Sequence, residues 1–129
     1  MAVFQVRLGI EEKGGSMVRV TVYQNASGQY PKLRLEGHAG FAAYGDDIVC
    51  AAVSVLVINT VNSIEAFTED VCEYSEQKDK DVVLFEVTSR PISDHAELLL
   101  KSLVFGLRSI AREYGKKYIQ VEIMKMQEV

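Results

Sequence analysis

A thiol and an imidazole stand twelve positions apart in the segment Gly37-His38-Ala39-Gly40-Phe41-Ala42-Ala43-Tyr44-Gly45-Asp46-Asp47-Ile48-Val49-Cys50. An apolar run follows Cys50, and a short acidic residue before such a run signals a helix start. With Asp47 as the cap, Cys50 is the third helical residue. Its backbone N–H then lacks an intrahelical acceptor, and the aligned peptide dipoles place positive charge beside its sulfur. An unperturbed thiol is only ~3% ionised at pH 7, whereas a pKa two units lower leaves it mostly thiolate. An imidazolium from His38 would favour the thiolate further and later serve as general acid, so the pair is what a cysteine nucleophile requires.

Each residue also has a plainer reading. Cys50 alone reads equally as an inert core cysteine, since free cysteine is among the most buried residue types. Its company favours chemistry: a helix head, a histidine at a strand end, and a glycine-bearing loop between them. Gly37, Gly40 and Gly45 are turn glycines, or they let backbone approach a substrate or let the loop move. Asp47 reads as the cap, with an orienting role toward the pair as the alternative. Ser54, one turn after Cys50, lines the same face or bonds back to the carbonyl of Cys50. Cys72 reads as a small core or half-exposed strand residue, and His95 as a solvated residue at a helix start. Two scattered cysteines and two histidines lack the spacing of a closed metal site, so no metal and no cofactor are expected. No phosphate-cradling glycine motif and no Gly-x-Ser-x-Gly elbow occur.

The elements that must position the pair follow from periodicity. Val18, Val20 and Val22 alternate with polar residues in a strand, and Leu33 and Leu35 mark a second, antiparallel one that delivers His38 at its end. A helix runs from Asp46 or Asp47 to about Phe67. It is apolar on most of its circumference from Val53 to Ile58, which predicts that its first half is buried. Asn59, Asn62, Ser63 and Glu65 wet its second half. Strands over 71–76 and 82–88 flank a polar turn at 77–80. Pro91 and Ser93 open a second helix with a stripe of Leu99, Leu103, Leu107, Ile110 and Tyr114, and Gly115 ends it. Ile119, Val121 and Ile123 alternate in a last strand. The order β-β-α-β-β-α-β predicts an α+β fold, a mixed sheet with two helices over one face.

Before this series, Phe4, Val6, Leu8 and Ile10 alternate like a strand until Glu11-Glu12-Lys13-Gly14-Gly15-Ser16 breaks the pattern and a second methionine follows. Residues 1–16 read as a hairpinned strand or as a leader or alternative start, and the Gly-Gly-Ser-Met junction favours the second. Residues 17–129 then form one domain. A chain of 129 residues suits a single domain with a real core. Its net charge of −4 argues against nucleic acid as the main partner. No basic-then-apolar leader is visible, and the longest nearly apolar run falls short of the ~20 residues that span a bilayer. Two cysteines make no disulfide framework. A soluble cytoplasmic protein is expected.

The pattern Gly37-His38-Ala39, Tyr44-Gly45-x-Asp47-Ile48-Val49-Cys50-Ala51, Ser54 and Val61-Asn62-Ser63-Ile64 resembles the ribosomal-processing cysteine protease family, Prp. The resemblance covers residues 17 to about 124. It implies a bacterial homodimer that removes the short N-terminal extension of ribosomal protein bL27. It implies that His38 and Cys50 are the catalytic dyad, and that the loop over 39–46 covers the site and moves when substrate binds. Residues 1–16 have no counterpart in that pattern and lack the Phe-Phe-Ala ending expected of the substrate extension. Two other functions stay open on the residues alone: a non-catalytic ribosome-associated peptide-binding module, and a thiol redox sensor built on Cys50.

Overall fold

The computed structural model describes residues 17–37 and 48–126. The candidate strand within 1–16, the loop over 39–46, and His38, Gly45 and Asp47 lie outside the described residues.

Alternation makes the strands. In β1 (Val18–Gln24), Val18, Val20 and Val22 are fully buried on one face. β2 (Lys32–Glu36) buries Leu33 and Leu35 on the same face and keeps its charged residues on the other. The polar turn between them is closed by the Asn25 side-chain oxygen, which accepts from the backbone N–H groups of Ser27 and Gln29. Helix α1 (Ile48–Phe67) follows, then β3 (Cys72–Gln77), β4 (Val82–Val87), helix α2 (Asp94–Tyr114) and β5 (Ile119–Lys125). The expected α+β order is the order observed.

The five strands form one mixed sheet in the order β3-β4-β2-β1-β5. β1 pairs antiparallel with β2 and parallel with β5, and β4 pairs antiparallel with β2 and with β3. β2 and β3 are therefore parallel with β4 between them, and α1 is their crossover. β4 and β5 are also parallel, and α2 is theirs. Both crossovers lie over the face that carries Val20, Leu33, Phe85 and Ile119, so one apolar core separates sheet from helices. The other sheet face carries Arg19, Lys32, Arg34, Glu36 and Glu86, with the Lys32 ammonium 5.1 Å from the centre of the Tyr23 ring. Arg34 Nε is shielded and lies 3.4 Å from Glu36 Oε2, close enough for charge attraction but without the alignment of a hydrogen bond.

The expected burial of the first half of α1 is corrected. Val53 and Val57 are buried, but Val55 is 65% and Ile58 47% exposed. A helix in a two-layer fold has the sheet beneath it and α2 beside it, which leaves its outer side to solvent among the described residues. α1 is long and apolar enough to cross a bilayer by length and composition alone. Its Val53, Val57, Val61 and Ile64 nevertheless belong to the common core. The stripe of α2 is shifted too: Leu100, Leu103, Val104 and Leu107 are buried, while Leu99, Ile110 and Tyr114 pack at the core's margin.

The ends of α2 follow the expected punctuation. Ser93 Oγ accepts from the Ala96 N–H at 3.1 Å, and Gly115 ends the helix with its N–H on the Ala111 carbonyl at 2.8 Å. Asp70 ties this end of the molecule together. Its Oδ2 accepts from Ser89 Oγ at 3.0 Å and from the Ser93 N–H at 3.1 Å, joining the α1–β3 and β4–α2 connections.

Candidate active site

Cys50 is the third residue of α1, as its spacing from Asp47 predicts. The positive end of the α1 dipole lies at this turn, near Cys50. Cys50 is 0% exposed and sits in the core cluster with Val49 and Val53. Ser54 lies one turn further on the same side of α1 and is half-buried.

The crossover geometry sets which strand ends lie near Cys50. α1 must run back along the sheet to link two parallel strands, so its first turn lies over the end where β2 finishes and β1, β4 and β5 begin. β2 ends at Glu36, followed by Gly37 at φ +79° and then by His38 in the chain. Gly37 is required by its surroundings. A Cβ there would overlap the Met17 carbonyl oxygen, and the positive φ is one that only glycine adopts freely. Of the sequence-derived site residues, Gly37, Cys50 and Ser54 are thus placed, while His38, Gly45 and Asp47 lie outside the described residues.

The second thiol is no competitor. Cys72 is half-buried at the start of β3, and the two cysteines are not joined by a disulfide. Burial, with added repulsion from Glu65 and Asp70, pushes the Cys72 thiol up to about 11. At neutral pH it is held as the thiol. A cleft of about 500 Å³ lined by Phe67, Asp70, Ser89, Arg90 and His95 lies at the opposite end of the molecule. Phe67 lies seventeen residues after Cys50 in the same helix, which is roughly 26 Å along the axis. The Asp70 hydrogen bonds there join the loops that line the cleft. Among the described residues no group of His, Cys, Asp and Glu side chains is arranged to hold a metal ion.

One feature of this end escaped sequence reasoning. Asp81 closes the β3–β4 turn at φ +59°, and its carbonyl oxygen accepts the Gly37 N–H at 3.3 Å. The polar run at 77–80 signals a turn, but nothing in the residue types signals contact between that turn and the end of β2.

A thiol in the first turn of a crossover helix over an α+β sheet is an arrangement that a cysteine hydrolase can use. The family model for cysteine protease Prp matches residues 17–120. A ribosomal processing cysteine protease Prp from Staphylococcus aureus is 30% identical over 101 residues, covering 78% of this chain and 93% of that protein. The crystal structure of the essential S. aureus ribosomal processing protease Prp, with a covalently linked product peptide, superposes with a TM-score of 0.72 at 26% identity, covering 83% of this chain and 99% of that one. The structure of SMU.848 from Streptococcus mutans gives a TM-score of 0.74 at 28% identity, covering 87% and 97% of the two chains. The chain belongs to the Prp family of ribosomal-processing cysteine proteases.

Proposed function

We propose that this chain is a cytoplasmic endopeptidase that removes the N-terminal extension of ribosomal protein bL27 during large-subunit assembly, with Cys50 as nucleophile and His38 as acid–base partner. The observation that carries the reading is the position of Cys50 at the third residue of α1, over the sheet end from which Gly37 leads into His38. The peptide held covalently by the S. aureus relative supports the same chemistry.

In this mechanism the Cys50 thiolate attacks the scissile carbonyl carbon, and the tetrahedral oxyanion is held by backbone N–H groups of the first turn of α1. His38 donates its proton to the leaving amine as the C–N bond breaks, leaving a thioester on Cys50. It then takes a proton from water, and the hydroxide releases the acyl fragment. Gly37, Gly45, Asp47 and Ser54 support the dyad or the peptide. The burial of Cys50 requires an opening step, which fits a loop over 39–46 that yields to substrate. The protein works as a homodimer within residues 17–129, and residues 1–16 are an extension beyond the family match.

A peptide spanning a bL27-type extension and the following residues tests the proposal. Cleavage falls by ~10³-fold or more in Cys50→Ser and stays within about twofold of wild type in Cys72→Ser. Undiminished cleavage by Cys50→Ser contradicts the reading. Peptide binding without turnover by the wild-type protein points instead to a binding module.

A further inference from the structure

We propose that the free edge of β3 docks a basic, extended segment of the protein substrate, which joins the sheet there as an added strand. The inference rests on the protease reading above and gives that activity a recognition surface away from the scissile bond.

Among the described residues β3 is an edge of the sheet, paired only with β4. Its neighbours show which of its backbone groups are free. In an antiparallel ladder, successive residues direct their N–H and C=O alternately to one side and to the other. Val71 directs its carbonyl toward β4, where it accepts the Thr88 N–H at 2.8 Å. Val87, the partner of Cys72, donates its N–H away from β3, to the Pro31 carbonyl at 2.8 Å. Glu73, Ser75 and Gln77 therefore bond to β4, and Cys72, Tyr74 and Glu76 turn their backbone groups outward. Every residue from Glu73 to Gln77 is exposed, and Tyr74 on the helix side is 42% so. An open strand edge of this kind takes up an extended peptide through main-chain hydrogen bonds.

Charge selects the occupant. Residues 65–81 hold seven carboxylates against two lysines, a net charge of −5 where the whole chain has −4. β5, at the other edge, carries one glutamate and one lysine and is neutral. Glu73 pairs with Glu86 on the open face of the sheet, and Glu76 pairs with the core residue Val83 and so lies on the helix face. Burial and then the charges of Glu65 and Asp70 raise the Cys72 thiol, and burial and then Glu76 raise the Tyr74 phenol, so negative charge reaches this edge from both sides of the strand. A second copy of this chain is a poor occupant. In an antiparallel pairing centred between Tyr74 and Ser75, Glu73 of each copy faces Glu76 of the other, and like charges directly opposed destabilise a strand pair. A segment rich in lysine or arginine is the complement. Proteins that assemble on a polyanion such as RNA carry such segments, because they must neutralise phosphates. The edge also leads to the right place. β3 runs parallel to β2, so its Gln77 end lies at the end of the sheet where α1 begins with Cys50 in its first turn. A segment paired with β3 brings the residues beside it toward that end.

Two fluorescein-labelled peptides of about twelve residues test the proposal on the full chain, one alternating Lys with Thr and the other Glu with Thr. By fluorescence anisotropy the wild-type protein binds the Lys peptide at least ~10-fold more tightly, and the preference shrinks as salt rises. Hydrogen exchange at the amides of Cys72, Tyr74 and Glu76 slows when that peptide binds, while Glu73 and Ser75, already paired with β4, change little. Glu73→Lys combined with Glu76→Lys abolishes the preference. Tyr74→Pro removes one outward N–H, leaves the ladder to β4 in place and weakens Lys-peptide binding by ~10-fold. Should that variant fail to fold, the exchange pattern of the wild-type protein carries the same decision. The extension peptide is cleaved with a lower KM when the Lys segment follows it than when the Glu segment does, and the charge-reversed variant loses that difference with kcat unchanged. Equal binding of the two peptides, an undiminished preference in the charge-reversed variant, unslowed exchange at the three outward amides, or one KM for both fusions overturns the proposal. If the wild-type protein cuts neither fusion, the protease reading fails, and binding and exchange still decide whether β3 is a docking edge.

Discussion

At the residue scale, the account depends on a few atoms at one end of the sheet. The place of Cys50 at the head of α1 was legible because a short acidic residue followed by an apolar run signals a helix start, and both are written locally. The need for glycine at position 37 was not legible, because it arises from the Met17 carbonyl, twenty residues earlier in the chain. Gly37→Ala must move backbone rather than a flexible side chain, and it also takes on the penalty of a positive φ. The expected cost is roughly 2 kcal/mol or more in stability by chemical denaturation. Activity should fall further than stability explains. A variant as stable and active as wild type would remove the close approach from the account.

At the scale of elements, strands and helix ends were the most readable features. Alternation of Val18, Val20 and Val22 fixes which face turns inward, and Ser93 and Gly115 bracket α2 through local hydrogen bonds. The solvent side of α1 was misread because composition shows an apolar circumference but not how many layers will cover it. The shift from Leu99 to Leu100 on α2 has the same origin, since a stripe's width is visible in sequence but its centre depends on the crossing with α1. The Asp70 knot was also invisible, as it joins connections about twenty residues apart. Burial pushes the Asp70 carboxyl upward, but the hydrogen bonds from Ser93, Ser89 and Thr68 outweigh this and hold it below the ordinary carboxylate value. A carboxyl lowered by folding stabilises the native state at pH above its unfolded value of about 4, and this is lost as pH falls through the folded value. Asp70→Asn should therefore lower the thermal midpoint at pH 7 and bring it closer to wild type near pH 3. An equal loss at both pH values would mean that the carboxylate charge contributes nothing.

At the scale of the whole molecule, one chain leaves an apolar surface uncovered. Val55 and Ile58 on α1 and Phe105 on α2, the last 72% exposed, lie on the outer side of the helix layer. These side chains are where the interface of the proposed homodimer is expected. Val55→Asp combined with Phe105→Asp should convert a dimer to a monomer by light scattering, with the fold retained by circular dichroism. A dimer that survives both charges would place its interface elsewhere.

The central claim is that the Cys50 sulfur bonds to the substrate. Intact-protein mass spectrometry during turnover of the extension peptide tests it most directly. The account predicts a transient species heavier by the N-terminal fragment as an acyl group, mapped by digestion to the segment containing Cys50 and absent from Cys50→Ser. Turnover that continues in Cys50→Ser, or an acyl group mapped to Cys72, would contradict it.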